Sequence, residues 1–175
     1  MNYLTIAAGT IIIALFSWSY SIKHRRYHGI PRFFSFESIF ILLVLNIKVW
    51  FHDPISPFQI ISWILLTGSA YMGITGFILL WKRGKPQNKN IESTTVIVKS
   101  NLYSFIRHPL YSSLLLIGTG IMFKNPEPPQ LVFGLVNLIA IYFTAKTEEK
   151  EMIMKFGEEY SNYMRETKMF IPFVI

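Results

Sequence analysis

The sequence predicts an all-α, multi-pass membrane protein with five transmembrane helices, and three observations support this fold class. Hydrophobic residues make up 51% of the 175 residues. They occur in long blocks rather than in the short alternations of a soluble amphipathic helix or strand. Lys and Arg concentrate between the blocks. The length fits one domain, with three spans in residues 1–81 and a loop, a helical hairpin and a tail helix in residues 82–175.

The first three blocks are long enough to cross a bilayer as helices. They are Tyr3–Tyr20, Phe33–Phe51 and Ile60–Trp81. No basic residue precedes the first block and several follow it, which is the reverse of the charge pattern in a cleaved signal peptide. We therefore expect a retained first span.

Two shorter apolar blocks follow a long basic loop. Pro109–Phe123 and Leu131–Phe143 could form a hairpin, although 15 helical residues rise only about 22 Å against a hydrocarbon core of about 30 Å. Such a hairpin either borrows length from its flanks or stops part-way across the bilayer beside a cavity. Lys146–Arg165 is predicted to be a separate cytoplasmic helix, and Lys168–Ile175 to lie against the membrane surface or the protein itself.

The basic residues predict how the chain is oriented. Of the 17 Lys and Arg residues, 15 fall within residues 23–32, 82–107 and 146–168. Five spans place all three segments on one side, which is cytoplasmic by the positive-inside rule. The N-terminus is then outside and the C-terminus cytoplasmic. The formal charge of +7 is explained by this orientation and by anionic lipid, so nucleic-acid binding is not predicted.

Composition also excludes several kinds of chemistry. The chain has no cysteine, which rules out disulfides, thiolate nucleophiles and cysteine-ligated metals. Its histidines and carboxylates show no metal-ligand spacing, and no glycine-rich phosphate-binding motif is present. We expect no bound metal.

The stretch Thr94–Tyr111 is the strongest candidate for a binding site. Pro109 suits the first turn of a helix, where its missing N–H costs nothing. Arg107 and His108 then lie beside a helix N-terminus, which favours anions. Tyr103 and Tyr111 add aromatic surface nearby. This combination predicts a ligand that carries an anionic group together with a ring or a cation.

The second half of the chain contains an ordered set of residues. The set comprises Tyr103, Arg107-His108-Pro109-Leu110-Tyr111, Gly118 or Gly120, Glu148-Glu149, Phe156-Gly157-Glu158-Glu159-Tyr160, Tyr163 and Phe170-Ile171-Pro172. This set resembles the isoprenylcysteine carboxyl methyltransferase and phospholipid methyltransferase superfamily. Its spacing is that of the family pattern, with the glutamate pair eight residues before Phe-Gly. The resemblance covers about residues 82–175, and the first two spans resemble the family only in being spans.

The resemblance implies a membrane enzyme that transfers a methyl group from S-adenosylmethionine to a hydrophobic or lipid-like acceptor, with the loop and the C-terminal helix capping the cofactor. The cofactor-binding residues that it implies are Thr95, Val96, Ile97, Val98, Tyr103, His108, Pro109, Leu110, Tyr111, Glu148 and Glu149, with Gln87 or Asn88 as a further contact. The catalytic residues that it implies are Arg107, His108 and Glu148. A carboxylate such as Glu148 can hold the cofactor's ammonium, and aromatic rings can stabilise its sulfonium by about 0.5–2 kcal/mol.

Two positions depart from the family pattern. Asn101 stands where the family usually has Gly, and Asn is the next-best residue at a positive φ. Thr144 stands where the isoprenylcysteine branch has an Arg assigned to the substrate carboxylate. We therefore expect an acceptor without a free carboxylate, such as an amine headgroup or a phenol-like hydroxyl.

Other interpretations of the same residues stay open at this stage. Arg107 and His108 could anchor a helix at the headgroups, the tyrosines could form an interfacial belt, and the glutamate pair could simply start a solvated helix. The chain could then be a non-catalytic membrane adaptor of the same fold. An NADPH-dependent, sterol-reductase-like enzyme is the alternative catalytic hypothesis.

Overall fold

The chain is almost entirely helical. The computed structural model describes residues 3–87 and 90–172. Within these residues the α-helices are α1 (Tyr3–Tyr20), α2 (Gly29–Asn46), α3 (Pro57–Arg83), α4 (Pro109–Met122), α5 (Pro128–Phe156) and α6 (Glu158–Glu166). One parallel bridge between Ile106 and Lys168 is the only β pairing in the described ranges. The predicted all-α fold class is confirmed.

Four helical segments of the described chain are long and apolar enough to span a membrane. They are Tyr3–His24, Gly29–Val49, Pro57–Arg83 and Pro128–Phe156, where 3₁₀ turns extend α1 and α2. Together they make this an integral membrane protein. The apolar helix α4 has only 14 residues and rises about 21 Å. Its crossing, and with it the count of five spans, stays a prediction.

The five apolar helices alternate in direction. Packing is most extensive between α3 and α4 and between α2 and α5, whereas α1 packs on α2. At one end, Asn46 of α2 donates to the Ile121 carbonyl of α4 and accepts from Gln130 of α5. Lys124, just after α4, donates to Gln59 of α3 at 2.8 Å. The starts of α3 and α5 and the ends of α2 and α4 therefore meet there.

The three basic segments meet at the opposite end, which we call the basic end. Arg26 bonds to Glu92 and Ser93, and Arg107 bonds to Glu149. The contacts join residues 23–32, 82–107 and 146–168 at one end of the helices, where the charge pattern places them.

Prolines and a serine fix where helices begin. Pro109 and Pro128 occupy the first turns of α4 and α5, where the missing N–H leaves no bond unmade. Pro57 does the same for α3, and the Ser56 side chain caps that helix by accepting from the Gln59 amide. The predicted helix start at Pro109 is confirmed. The second span begins at Gly29, four residues before its predicted start at Phe33.

The predicted break between the fifth span and the tail helix is wrong. One helix, α5, runs without interruption from Pro128 to Phe156, because Lys, Glu and Met sustain a helix as well as the apolar residues before them. The break comes at Gly157, whose φ of 59° and ψ of −131° suit glycine alone among common residues. The shorter α6 follows.

The segment after α6 packs on the protein. The Arg107 amide donates to the Lys168 carbonyl at 2.8 Å, and the His108 amide donates to the Met169 carbonyl at 3.2 Å. Ser112 of α4 donates to the Phe170 carbonyl. Of the two predicted positions for residues 168–175, the one against the protein is observed for residues 168–170. Ile171 and Pro172 are exposed, and residues 173–175 lie outside the described part of the chain.

Candidate functional site

A partly open cavity with a volume of about 110 Å³ lies at the basic end. The walls come from the basic ends of α2, α3, α4 and α5, from the loop between α3 and α4, and from α6. The lining residues are Arg32, Leu80, Ile91, Glu92, Thr94, Val96, Ile97, Val98, Tyr103, Arg107, His108, Leu110, Tyr111, Glu148, Met152, Phe156, Tyr160 and Tyr163.

The structure brings nine of the twelve predicted site residues to this one cavity. These nine are Val96, Ile97, Val98, Tyr103, Arg107, His108, Leu110, Tyr111 and Glu148. They come from the loop, the start of α4 and the second half of α5, so the fold collects residues that are up to about 50 positions apart.

Three predicted residues lie behind or beside the lining. Thr95 is exposed and bonds back to the loop through the Lys85 carbonyl. Pro109 is buried in the first turn of α4. Glu149 is buried as the ion-pair partner of Arg107. Asn88, one of the two suggested further contacts, lies outside the described residues.

His108 lies between the two glutamates of α5. Its ring stacks on Tyr111 with centroids 5.3 Å apart. Its Nδ1 is 3.7 Å from Glu148 Oε2, and its Nε2 is 3.6 Å from Glu149 Oε1. The ring is buried, and Nε2 has no hydrogen-bond partner in the described structure.

Arg107 connects three elements around the cavity. Its Nε donates to Glu149 Oε1 of α5 at 2.8 Å, and its Nη1 donates to the carbonyls of Met164 in α6 and Thr167 just after it. Such carbonyls at a helix C-terminus favour a cation. The guanidinium therefore holds α6 and the following segment beside the His108 backbone.

Tyrosines from the loop and from α6 form an aromatic wall. Asn101 has a φ of 57°, so the positive φ predicted for this position is confirmed, and the 3₁₀ turn that it starts contains Tyr103. The Tyr163 hydroxyl donates to the Tyr103 carbonyl at 2.7 Å. Burial raises the pKa of Tyr103 well above its usual value, and burial likewise raises the pKa of Tyr160 and Tyr163. These phenols are neutral at physiological pH.

Sequence reasoning missed a charged network at the cavity, in which Arg32 and Glu92 line the cavity and His28 contacts Glu92. Arg32 Nη1 donates to Glu92 Oε1 at 2.5 Å. His28 Nδ1 lies 2.6 Å from Glu151 Oε2, and its Nε2 lies 3.6 Å from Glu92 Oε2. Because Arg32 and Glu92 are 60 positions apart, no local pattern pairs them. The available signal was an Arg inside the first turn of a membrane helix, where an ionisable residue needs a partner.

This network perturbs the ionisation of two groups outside the spans. Burial alone lowers the pKa of His28, but the hydrogen bond with Glu151 and the nearby Glu92 carboxylate outweigh burial and hold that pKa at about 9. Burial alone raises the pKa of Glu92, yet contact with His28 and the charge of Arg32 lower it to about 2. At neutral pH the cavity is therefore bordered by fixed charges of both signs.

The fold and the cavity define an all-helical integral membrane protein with a candidate binding cavity at the basic end of its helices. The chain belongs to the isoprenylcysteine carboxyl methyltransferase (ICMT) family, whose family model matches residues 59–154. This match confirms the predicted resemblance. Its bounds differ from the predicted residues 82–175, because the match includes the third span and ends before Gly157.

Curated relatives are named for two kinds of methyl transfer, one to sulfur and one to oxygen. Methanethiol S-methyltransferase of Crocosphaera subtropica is 39% identical over 74 residues, which are 41% of this chain and 28% of the relative. Protein-S-isoprenylcysteine O-methyltransferase of Mus musculus is 31% identical over 128 residues, which are 65% of this chain and 43% of the relative. The chain thus spans less than half the length of these curated relatives.

Proposed function

We propose that this protein is an integral membrane methyltransferase that uses S-adenosylmethionine to methylate a hydrophobic or lipid-like acceptor. The observation that carries the proposal is the convergence of Val96–Val98, Tyr103, His108, Tyr111 and Glu148 on one cavity. Membership of the family supports the proposal, because the S-methyltransferase and the O-methyltransferase relatives are both named as methyltransferases.

The residues present fit the chemical groups of S-adenosylmethionine. Glu148 is partly exposed in the cavity, where its carboxylate can accept hydrogen bonds from an ammonium. Tyr103, Tyr111 and Phe156 offer ring faces for adenine or for a sulfonium. The first turn of α4 carries backbone N–H groups without helical partners, which can face a carboxylate.

When bound, S-adenosylmethionine supplies an electrophilic methyl group on a positively charged sulfur. The protein's own contribution is to bind, to orient and to exclude water. The buried side chains of Val98, Tyr103 and Tyr111 keep bulk water from one side of the cavity. Arg107 holds α6 and the following segment in place, which keeps the His108 ring between Glu148 and Glu149. Positioning of the two reactants then supplies most of the rate enhancement that such a displacement needs.

The proposed acceptor carries no free carboxylate. Thr144 is fully buried, its hydroxyl donates to the Ala140 carbonyl of its own helix at 2.7 Å, and it does not line the cavity. Arg32 does line the cavity, but Glu92 compensates its charge at 2.5 Å. A lone carboxylate would be costly to bury there. An amine headgroup, a phenol-like hydroxyl or a thiol fits better.

We further propose one domain with five crossings, in which the basic end is cytoplasmic and Tyr3 lies near the outer face. This orientation follows from the positive-inside rule and from the meeting of the three basic segments at one end. The cofactor then enters from the cytoplasm and the acceptor from the bilayer.

Calorimetric titration of the purified protein in detergent tests the cofactor assignment. S-adenosylmethionine and S-adenosylhomocysteine should bind competitively, and E148Q and H108A should each weaken binding by about tenfold or more, since each loses a polar partner. E158Q is the matched control, because Glu158 is exposed on α6 and lies outside the cavity lining. Folded protein that binds neither compound at millimolar concentration would overturn the proposal, as would binding of NADPH instead.

Transfer of a labelled methyl group into a total membrane lipid extract tests the acceptor. The expected product is a methylated amine, hydroxyl or thiol of a hydrophobic molecule. A base-labile methyl ester on a prenylated cysteine would show that the inference from Thr144 is wrong.

A further inference from the structure

A buried charged network joins the cavity-lining loop to the first two helices. Glu92, in the 3₁₀ turn Ile91–Ser93, lines the cavity, and its side chain is 10% exposed. Its Oε1 accepts from Arg32 at 2.5 Å, and its Oε2 accepts from Ser21 at 2.8 Å. Arg26 Nη1 lies 3.5 Å from the same Oε2. All of these partners come from residues 21–32.

Neighbouring residues of the loop are held from the same direction. Arg26 Nη2 donates to the Ser93 hydroxyl at 2.8 Å, and Ser21, whose hydroxyl also accepts from Arg32 at 2.6 Å, is fully buried. Lys155 of α5 donates to the Thr94 carbonyl. Residues 92–94 are therefore pinned by side chains of the α1–α2 turn, of α2 and of α5.

Few backbone hydrogen bonds fix the course of the loop after Thr94. Residues 94–99 form neither helix nor strand, and the Thr95 and Val96 amides share a single acceptor, the Gly84 carbonyl. A segment with few backbone hydrogen bonds opens easily unless side chains anchor it. A buried ion pair serves this purpose by restricting geometry, even where its net contribution to stability is small.

We propose that Glu92 is a positioning residue, a latch through which α2 and the turn before it hold the cavity wall at residues 91–98 in its ligand-binding arrangement. Arg32, Arg26 and Ser21 lie outside the residues that match the family model, so the latch couples the N-terminal helices of this chain to the shared cavity. The measurement of cofactor affinity rests on the proposed function, whereas the measurement of loop exchange does not.

The test uses E92Q in the complete chain, purified in detergent, with two measurements. Hydrogen exchange of residues 90–98 without ligand should become about tenfold faster, because neutralising Glu92 leaves Arg32 buried without its partner. Affinity for S-adenosylhomocysteine should fall by about tenfold. The conservative variant E92D should keep part of the slow exchange and part of the affinity of the wild-type protein. E159Q is the matched control, since Glu159 forms an exposed ion pair with Lys99 of the same loop and should change neither measurement.

Each outcome decides for or against the latch. Faster exchange confined to residues 90–98 supports it, whereas unchanged exchange, or exchange that rises equally in every helix, overturns it. If the wild-type protein binds no S-adenosylhomocysteine, the proposed function falls while the exchange measurement still decides on the latch.

If E92Q fails to fold, R32K replaces it in the test. R32K keeps the positive charge but loses the two-pronged guanidinium contact with Glu92 and Ser21. Loop exchange in R32K that equals the wild-type rate would then overturn the proposal.

Discussion

At the scale of single residues, His28 is the clearest case of a side chain whose charge is set by its surroundings. It is buried, bonds to Glu151 of α5, and faces Glu92 from the loop. The negative charge of Glu148 also favours its protonated form, while Arg26 and Arg32 flank Glu92 on the other side. The pKa of about 9 means that His28 is a cation throughout the physiological pH range.

Stability should therefore depend on pH through His28. Its folded-state pKa of about 9 exceeds the ordinary value of 6.5, so its charge stabilises the fold fully below pH 6.5 and loses this effect as the pH rises through 9. The difference corresponds to roughly 3 kcal/mol. Thermal unfolding of the wild-type protein and of H28Q in detergent checks this. H28Q should melt well below the wild type at pH 6, and the gap should shrink towards pH 10. A gap that is constant with pH would contradict the assignment.

Asn101 is the other residue whose role depends on conformation. Its φ of 57° lies in the left-handed region, and its side chain is exposed. We expect N101A to lower the free energy of unfolding by about 1 kcal/mol, because alanine tolerates this conformation less well. N101G should be neutral or stabilising for the opposite reason. Denaturant unfolding in detergent measures both, and equal effects of the two substitutions would show that backbone conformation is not the cause.

At the scale of elements, the junction between α5 and α6 decides how the aromatic wall meets the cavity. Gly157 ends α5 with a φ of 59° and a ψ of −131°, and α6 then places Tyr160 and Tyr163 against the loop. If α5 had continued as a straight helix past Gly157, Tyr160 and Tyr163 would lie farther along its axis, away from the cavity. The turn at Gly157 is thus what allows a tail helix to cap the site.

G157A should strain this junction. A Cβ at Gly157 would meet no atom within 4 Å, so any effect comes from the backbone and should amount to about 1–3 kcal/mol. Cofactor affinity should fall as α6 shifts, and calorimetric titration measures the fall. G68A provides the comparison, because Gly68 lies inside α3 with its nearest contact, Leu116, at 3.7 Å, and alanine favours a helix. A loss of affinity in G68A equal to that in G157A would rule out the junction as the cause.

At the scale of the whole molecule, the two ends of the helix bundle differ in chemistry. The basic end holds the cavity and the charged network. The opposite end holds a compact polar cluster in which Lys124 lies over the ring of Trp63 at 3.3 Å and bonds to Gln59. A difference of this kind is expected for a membrane protein whose orientation follows the positive-inside rule.

Single-cysteine labelling should reveal the orientation, since the chain has no cysteine of its own. I55C and E127C replace exposed residues between α2 and α3 and between α4 and α5, and both should react with a membrane-impermeant maleimide on intact cells. E158C, on α6, should react only after permeabilisation. Labelling of E127C only after permeabilisation, with I55C labelled outside, would mean that α4 does not cross the membrane.

The order of residues along the chain was enough to predict the apolar helices, their alternation and the main binding motif. Hydrophobic blocks predict membrane helices because the bilayer accepts few other structures, and the basic segments predict which ends meet. The motif from Tyr103 to Tyr111 is continuous, so its position at the start of α4 could be predicted from Pro109. Helix boundaries were less certain, as α5 shows, because polar residues that favour helix continue it past the membrane surface.

Which distant side chains meet became visible only in the folded molecule. Arg32 pairs with Glu92, and His28 with Glu151, because α2 packs along α5 and the loop folds back over both. No spacing in the chain encodes these contacts, since they depend on how two antiparallel helices rotate about their axes. Arg32 and His28 are buried, and an ionised group removed from water is stable only beside a partner of opposite charge. The pairing therefore keeps the buried groups charged.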